Sequence, residues 1–380
     1  MKLKNVSALI VVSILRVIFI ILPIFRSKLI PCNTHFKTCI CAITASLFLI
    51  SCGGGTTPKY LSEPRVDVSK WTPTKEVVLK KDGLNLVKAI VLLQDSTEFL
   101  IVSDKQICKL SNNKLNKECI ILTPELSDLS IVRNTSEEPS YIVGGGIWGK
   151  PSAAVFDING QLKWKKESGF DAMGKTAVLD DGEERFVVLE NKNQELLYLN
   201  FETGEVARKG SAKRIIGSAD FTGDGHYELL AANGETDFAV FNGKAQEISR
   251  LTLSDDYWYE PVLTSSALPL VVISAEEILE VYDSKLKIVK KYKAAGAGSK
   301  MHVVAATFIG NGPDAPFAAL YKGRGGWHRS ILYVFSATGE LVYKEIIVDS
   351  FQSITAVPSN DKKVILIGGR NEVIRYSFQK

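Results

Sequence analysis

The stretch that decides the fold is Val155–Trp164, which reads VFDINGQLKW. Its apolar residues end one strand, a polar turn containing glycine follows, and a second strand begins. The same order returns in Tyr333–Tyr343, which reads YVFSATGELVY. Short β-rich runs on both sides of a glycine turn are typical of an antiparallel hairpin. Each stretch therefore predicts two neighbouring strands of one sheet.

This hairpin belongs to a unit that recurs at a regular interval. Its apolar anchors are Leu110, Phe156, Leu199, Phe241, Tyr282, Phe335 and Tyr376. Their spacing of roughly 41 to 53 residues is the period of a propeller blade. We therefore predict an all-β, seven-bladed β-propeller. Two separate β-sandwiches are the alternative, and the regular period argues against them.

The last repeat shows how the predicted ring closes. It contains only three strands, over Ile354–Val357, Val364–Gly368 and Val373–Phe378, whereas the other repeats predict four. Glu76–Lys81 precedes the first repeat and has the composition of the missing outer strand. Pairing this segment with the last repeat removes an exposed sheet edge and joins the two ends of the propeller.

The first 51 residues have the composition of an export leader. They contain six basic residues and no acid, while the formal net charge of the whole chain is +4, which leaves about −2 for the rest. A remainder near neutrality excludes the electrostatic footprint of a nucleic-acid-binding protein. The apolar run Ala42–Ile50 is too short to span a bilayer and is typical of the apolar core of a signal peptide.

The sequence Leu49-Ile50-Ser51-Cys52 resembles the lipobox of bacterial lipoproteins. The resemblance implies a leader over 1–51 and a lipidated Cys52. Together with the repeats, it predicts that Cys52 and a flexible tether occupy 52–74 and that the propeller occupies 75–380. Gly53, in place of Asp, favours lipid anchoring in the outer membrane, on its periplasmic side or at the cell surface. A second apolar stretch, Val6–Phe25, does not fit one leader. Either translation starts nearer Leu29, or this stretch is a membrane anchor.

Two of the six cysteines lie within the predicted propeller. Cys108 and Cys119 fall on the two arms of one hairpin, so an oxidising periplasm favours a disulfide between them. Two reduced thiols are the alternative. Their spacing is not that of a Cys-x-x-Cys metal or redox site.

One loop has the oxygen donors of a cation site. Asp220–Glu228 resembles the calcium loop of FG-GAP or VCBS propeller repeats, in which oxygen ligands alternate around a glycine turn. The resemblance implies side-chain ligands from Asp220, Thr222 and Asp224, the carbonyl of His226, and Glu228 as the closing ligand. Thr222 and Glu228 depart from the usual residues, so a metal-free structural turn is the alternative. These departures favour the metal-free turn, and calcium is the one cofactor that the sequence leaves open.

A second, partial resemblance is to the repeats of quinoproteins, through Phe156–Trp164. Only this blade keeps the closing Trp164. A quinoprotein dehydrogenase would commonly show adjacent cysteines and more complete tryptophan motifs, which the sequence lacks.

Aromatic residues and arginine collect in loops that propeller geometry assigns to one face. We predict a binding face formed by Trp148, Tyr257, Trp258, Tyr259, Trp327, His328 and Arg329. Such a composition is typical of interaction hot spots. The alternative is that each tryptophan covers the core between two blades.

These observations predict a non-catalytic envelope lipoprotein: a monomeric binding or scaffold module for a protein or glycan. A quinoprotein-like or other periplasmic enzyme is the alternative. After the leader the chain has only His226, His302 and His328, and no His-x-x-x-His, Gly-x-Ser-x-Gly or paired-carboxylate motif accompanies them.

Overall fold

The computed structural model describes residues 64–93, 98–111, 114–123, 125, 128–132, 141–147, 150–167, 175–191, 195–211, 214–254, 259–265, 269–298, 301–323, 329–347, 349–359 and 363–379. The predicted leader and Cys52 lie outside these residues. Within the described part the regular structure is entirely β, and no helix has the length and hydrophobicity that a bilayer crossing requires.

Two strands precede the first complete repeat, β1 (Arg65–Ser69) and β2 (Thr72–Lys80). Blade 1 is β3 (Val87–Leu92), β4 (Glu98–Ser103), β5 (Gln106–Ser111) and β6 (Lys114–Ile121). Blade 2 is β7 (Asp128–Val132), β8 (Tyr141–Ile147), β9 (Lys150–Asp157) and β10 (Leu162–Glu167). Blade 3 is β11 (Thr176–Asp180), β12 (Arg185–Glu190), β13 (Leu196–Asn200) and β14 (Val206–Gly210). Blade 4 is β15 (Arg214–Ala219), β16 (Glu228–Ala232), β17 (Asp237–Phe241) and β18 (Glu247–Thr252).

Blade 5 is β19 (Val262–Leu263), β20 (Val271–Ala275), β21 (Ile278–Tyr282) and β22 (Ile288–Lys293). Blade 6 is β23 (Met301–Phe308), β24 (Phe317–Gly323), β25 (Ser330–Phe335) and β26 (Leu341–Ile347). Blade 7 is β27 (Ser353–Val357), β28 (Lys363–Gly368) and β29 (Glu372–Gln379), with β2 as its outer strand. The strands of every blade pair antiparallel in this order, from the innermost outward. The predicted seven-bladed propeller is confirmed.

The N-terminal strand closes the ring as predicted. β2 pairs with β29 from Thr72↔Gln379 to Lys80↔Glu372. The structure also corrects the tether, which was expected to reach Thr74: β1 pairs with β26 as a fifth strand of blade 6, from Arg65↔Ile346 to Ser69↔Tyr343. An outermost strand needs few apolar residues because one face and one edge meet water. The polar sequence of β1 therefore resembled that of a linker.

The hydrophobic core is divided into seven clusters, one between each pair of neighbouring blades. The seven apolar anchors of the repeat are all buried in them. Second strands are covered on both faces, as in β16, where every residue is buried. The cluster between blades 7 and 1 joins Leu366 and Val373 to Val87 and Ile101, so the core itself closes the ring.

Candidate functional site

A central channel of about 520 Å³ runs between the inner strands of the seven blades. We call the end that carries the blade connections and the turns between second and third strands the upper face. The lower face carries the other turns. Lys88 and Lys175 line the channel near the upper face, and Asp220 and Ser265 line it near the lower face.

Most of the predicted binding face falls on parts of the chain that the structure leaves undescribed. Trp148, Tyr257, Trp258, Trp327 and His328 lie outside the described residues. The two remaining members are Tyr259 and Arg329, which differ in their burial.

Tyr259 is a correction to the predicted face. Its side chain is 5% exposed and packs in the cluster between blades 4 and 5. The hydroxyl lies 3.3 Å from Ser254 Oγ. Burial of the ring between two blades makes Tyr259 a core residue, as the alternative reading of the aromatic loops allowed. Arg329 is half-buried at the upper face, and its Nη1 has no hydrogen-bond partner among the described residues.

The Asp220 loop joins β15 to β16 at the lower end of the channel. Carboxylate oxygens of Asp220, Asp224 and Glu228 all lie within 4.8 Å of one another. Asp220 accepts hydrogen bonds from the N–H groups of Gly223, at 2.6 Å, and Gly225, at 2.9 Å. The structure therefore brings the three predicted carboxylate ligands together, in a loop whose turn is already held by hydrogen bonds.

Glu228 is the buried member of this loop, with 4% of its surface exposed. Its Oε2 accepts a hydrogen bond from the N–H of Phe221 at 2.7 Å, and its Oε1 accepts one from Thr222 Oγ1 at 3.0 Å. Burial raises the pKa of Glu228, while the hydrogen bonds from Thr222 and Phe221 oppose the shift. Three carboxylates this close fit a hard divalent cation, and the same contacts serve a metal-free turn.

The two described histidines face carboxylates. His226 Nδ1 lies 3.4 Å from Asp180 Oδ1 of blade 3, beside the pair formed by Asp180 and Arg185. His302 Nε2 lies 3.0 Å from Glu260 Oε2, and the side chain is 14% exposed. Neither lines the channel.

The predicted disulfide between Cys108 and Cys119 is present. The two residues stand directly opposite each other on β5 and β6. The bond therefore crosses one pair of strands at the outer edge of blade 1.

The sequence interpretation missed one group of side chains at the upper face. Lys88 of β3, Lys322 of β24 and Arg370 of the turn between β28 and β29 come from blades 1, 6 and 7. Lys88 and Arg370 are close enough to lower the pKa of Lys322, after burial as the main cause. No motif joins residues this far apart in the chain. The single hint was Gly368-Gly369 beside Arg370, a pair that marks close backbone approach.

Seven antiparallel blades of four strands, with β1 added as a fifth strand in blade 6, surround a channel and define a β-propeller, and solved structures agree. Raptor from Chaetomium thermophilum superposes with a TM-score of 0.55 at 9% identity, over 82% of this chain and 30% of that protein. The WD40 β-propeller domain of Doa1 superposes with a TM-score of 0.51 at 12% identity, over 81% of this chain and 98% of that domain. At such identities the likeness shows the fold alone. No family model and no curated protein matches the sequence.

Proposed function

We propose that this chain is a non-catalytic binding or scaffold module, anchored by lipid at Cys52 in the bacterial outer membrane, whose upper face binds a protein or a glycan. The observation that carries the proposal is the form of the ring. Seven buried clusters hold a rigid scaffold. Lys88 and Lys175 line the channel near the upper face, and Arg329 lies directly before β25 on the same face. A rigid frame that presents loops around one opening is suited to recognition.

Two features favour binding over catalysis. The described histidines, His226 and His302, pair with carboxylates away from the channel lining. The described lining combines aliphatic side chains with lysines, threonines, serines, Asp220, Tyr227 and Gln352, and it contains neither histidine nor cysteine. Its carboxylate, Asp220, accepts hydrogen bonds from the N–H groups of Gly223 and Gly225 in its own loop. A general base within reach of a nucleophile is the minimum for most hydrolytic chemistry.

The binding role is tested by recovering partners from solubilised membranes. The bait is the intact protein, compared with a Trp258→Ala, Trp327→Ala double variant in the predicted aromatic loops. The matched control is Lys244→Ala, Lys285→Ala, which changes two exposed residues in lower-face turns. We expect one partner to be lost from the Trp variant only, at an unchanged melting temperature. Equal recovery from all three baits would overturn the upper face as the binding surface.

The anchor is tested separately. Labelled palmitate should be incorporated into the protein and should be lost in Cys52→Ala, because the thioether and amide linkages of a lipoprotein both belong to this residue. The variant should leave the outer-membrane fraction. No labelling of the wild type, together with unchanged fractionation of Cys52→Ala, would contradict the lipoprotein assignment and favour an anchor at Val6–Phe25.

A further inference from the structure

The outer edge of blade 6 differs from the outer edges of the other described sheets. The strand β1 pairs with β26 there, from Arg65↔Ile346 to Ser69↔Tyr343, whereas each of the other sheets contains four strands. Every residue of β26 is buried or half-buried, although β26 occupies the place that is outermost in the other blades. β1 therefore acts as a cover for the edge of blade 6.

The outermost strands of blades 2, 3, 4, 5 and 7 are protected in a different way. Each of them has at least one exposed basic residue: Lys165, Lys209, Arg250, Lys291 and Lys75. Charged side chains on an edge strand oppose pairing with a further chain. In contrast, β26 reads LVYKEII, and its one basic residue, Lys344, is only 8% exposed. Without β1, the edge of blade 6 would be mainly apolar and open to pairing.

Lys344 gives this edge a requirement for negative charge. Its ammonium group lies 3.1 Å from Asp67 Oδ2 of β1 and donates a hydrogen bond of 2.9 Å to the Ala295 carbonyl. It also lies 5.7 Å from the centre of the Tyr333 ring. Among the described residues, Asp67 supplies the only ion pair of Lys344. Because a buried charge that loses its partner is strongly destabilising, the edge favours a strand with a carboxylate at this position.

Asp67 is well placed for this contact. The register of β1 on β26 shifts between Val66 and Val68, so Asp67 is the extra residue of a bulge. A bulge re-aims a side chain, and here the carboxylate meets the ammonium group of Lys344. Burial raises the pKa of Asp67, but hydrogen bonds from Arg65 and Lys344 outweigh that effect and hold the pKa below its usual value. The carboxylate therefore stays ionised.

The strand β1 can leave this edge without opening the ring. Four of its five residues are exposed, and none of them belongs to the cluster between blades 6 and 7. Ring closure depends instead on β2, which pairs with β29 from Thr72 onward. Trp71, between the two strands, is 6% exposed and packs in that cluster. The chain is therefore fixed at Trp71, and β1 is an attachment that precedes the fixed point.

We propose that the edge of β26 is a docking site for an extended strand of a partner protein that carries a carboxylate for Lys344, and that this partner displaces β1. When a strand adds to a sheet edge, backbone hydrogen bonds supply affinity and side-chain contacts supply specificity. The ion pair of Lys344 is the specific contact, as the pair with Asp67 shows. The site is independent of the proposed function, since it needs neither the upper face nor the lipid anchor.

The test uses the full-length protein in detergent and a fluorescent peptide with the sequence of Glu63–Lys70, EPRVDVSK, as the probe. Two variants disable the resident strand. Val68→Pro removes a backbone donor from β1, and Asp67→Lys places a second cation beside Lys344. The matched control is Val206→Pro, which makes the same change at an exposed position of β14, an outermost strand without a cover. Fluorescence anisotropy measures the affinity of the peptide for each protein.

We expect the peptide to bind Val68→Pro and Asp67→Lys at least about tenfold more tightly than the wild type, because a tethered strand competes at a high effective concentration. Val206→Pro should bind the peptide as the wild type does. A peptide with Asp67→Asn should bind the uncovered edge at least about tenfold more weakly, as the loss of a charge-assisted hydrogen bond implies. In the wild type, hydrogen exchange should be faster for the amides of β1 than for those of β2, because release of β1 leaves the ring closed.

A merely structural strand would give different results. Val68→Pro and Asp67→Lys would then lower the melting temperature without gaining affinity for the peptide, which would overturn the docking site. Equal binding of the Asp67→Asn peptide would overturn the role of Lys344. Peptide binding to the disabled variants alone, with β1 amides of the wild type exchanging no faster than those of β2, would overturn the displacement of β1.

Discussion

The indole N–H of Trp164, on the outer strand of blade 2, donates a hydrogen bond of 2.6 Å to the carbonyl oxygen of Phe201 in blade 3. The closing tryptophan of the VFDINGQLKW stretch therefore joins neighbouring blades at their outer edge. The inter-blade clusters do the same nearer the channel. Because the ring depends on each blade contacting the next, this bond contributes to the stability of the whole propeller.

Replacing Trp164 by Phe tests that bond. The variant keeps an aromatic ring but removes the donor, and it should lower the free energy of unfolding by about 1 kcal/mol. Urea denaturation followed by circular dichroism measures the change. Leu162→Ala is the control on the same strand, since Leu162 is 40% exposed and should contribute little. Equal effects of the two changes would show that the bond to Phe201 contributes nothing.

Gly204 lies directly against the Trp164 ring. Its φ is +71°, and an added Cβ would lie 2.7 Å from Trp164 Cε3. Gly204→Ala should lower the free energy of unfolding by about 2–3 kcal/mol, combining backbone strain with a steric clash. Gly234→Ala separates the two, because Gly234 has φ +88° and nothing within 4 Å. It should cost only about 1 kcal/mol. An equal loss of unfolding free energy in Gly204→Ala and Gly234→Ala would show that the Trp164 ring does not clash with a Cβ at position 204.

A variant of Asp220 tests whether the lower-face loop needs calcium. The hydrogen bonds from Gly223 and Gly225 hold the loop without an ion, so Asp220→Ala should cost about 2 kcal/mol of unfolding free energy in EDTA. We expect the wild type to melt at the same temperature in EDTA and in calcium. Asn311→Ala, in the loop between β23 and β24 of blade 6, is the control. A rise in melting temperature with calcium that the wild type and Asn311→Ala show and Asp220→Ala lacks would establish the ion.

Glu228 predicts a dependence of stability on pH. Burial raises its pKa above the ordinary value of 4.5. At a pH between the ordinary pKa, which applies to the unfolded chain, and the raised pKa of the folded state, Glu228 is protonated in the folded protein and ionised in the unfolded chain. The group therefore stabilises the fold more as the pH falls. The unfolding free energy of the wild type relative to Glu228→Gln should therefore increase from pH 7 to pH 5.

The control for this titration is Glu183→Gln, which changes an exposed residue of a lower-face turn. Its difference from the wild type should stay constant across the same range. Parallel pH curves for the wild type and Glu228→Gln would show that burial does not raise the pKa of Glu228.

The disulfide between Cys108 and Cys119 closes a short loop, with a sequence separation of 11. Replacing both cysteines by alanine should lower the free energy of unfolding by about 2–3 kcal/mol, chiefly by freeing the unfolded chain. Dithiothreitol should destabilise the wild type to a similar extent and leave the double variant unchanged. An effect of the reductant on the double variant would show that it acts elsewhere.

The repeat could be predicted because blades are local units. Phe156, Phe241 and Phe335 stand at equivalent places in their repeats, and all are buried between blades. The disulfide followed from two cysteines on one hairpin. The strand β1 was missed because Arg65 and Asp67 lie at an edge in contact with water, where no apolar pattern is needed. Tyr259 was wrongly assigned to the binding face because a sequence does not show whether an aromatic side chain in a loop points towards the core or towards solvent.

The sequence by itself determined the number of blades, the strand that closes them and the paired cysteines, since each depends on periodicity or on pairing between near neighbours. Only the tertiary structure decided that Lys88 and Arg370 both lie close enough to Lys322 to lower its pKa. Asn85 and Asn371, which are hydrogen-bonded to each other near Lys88 and Arg370, are 286 residues apart in the chain. Their contact exists because β2 and the last cluster close the ring, and no local pattern of residues carries that information.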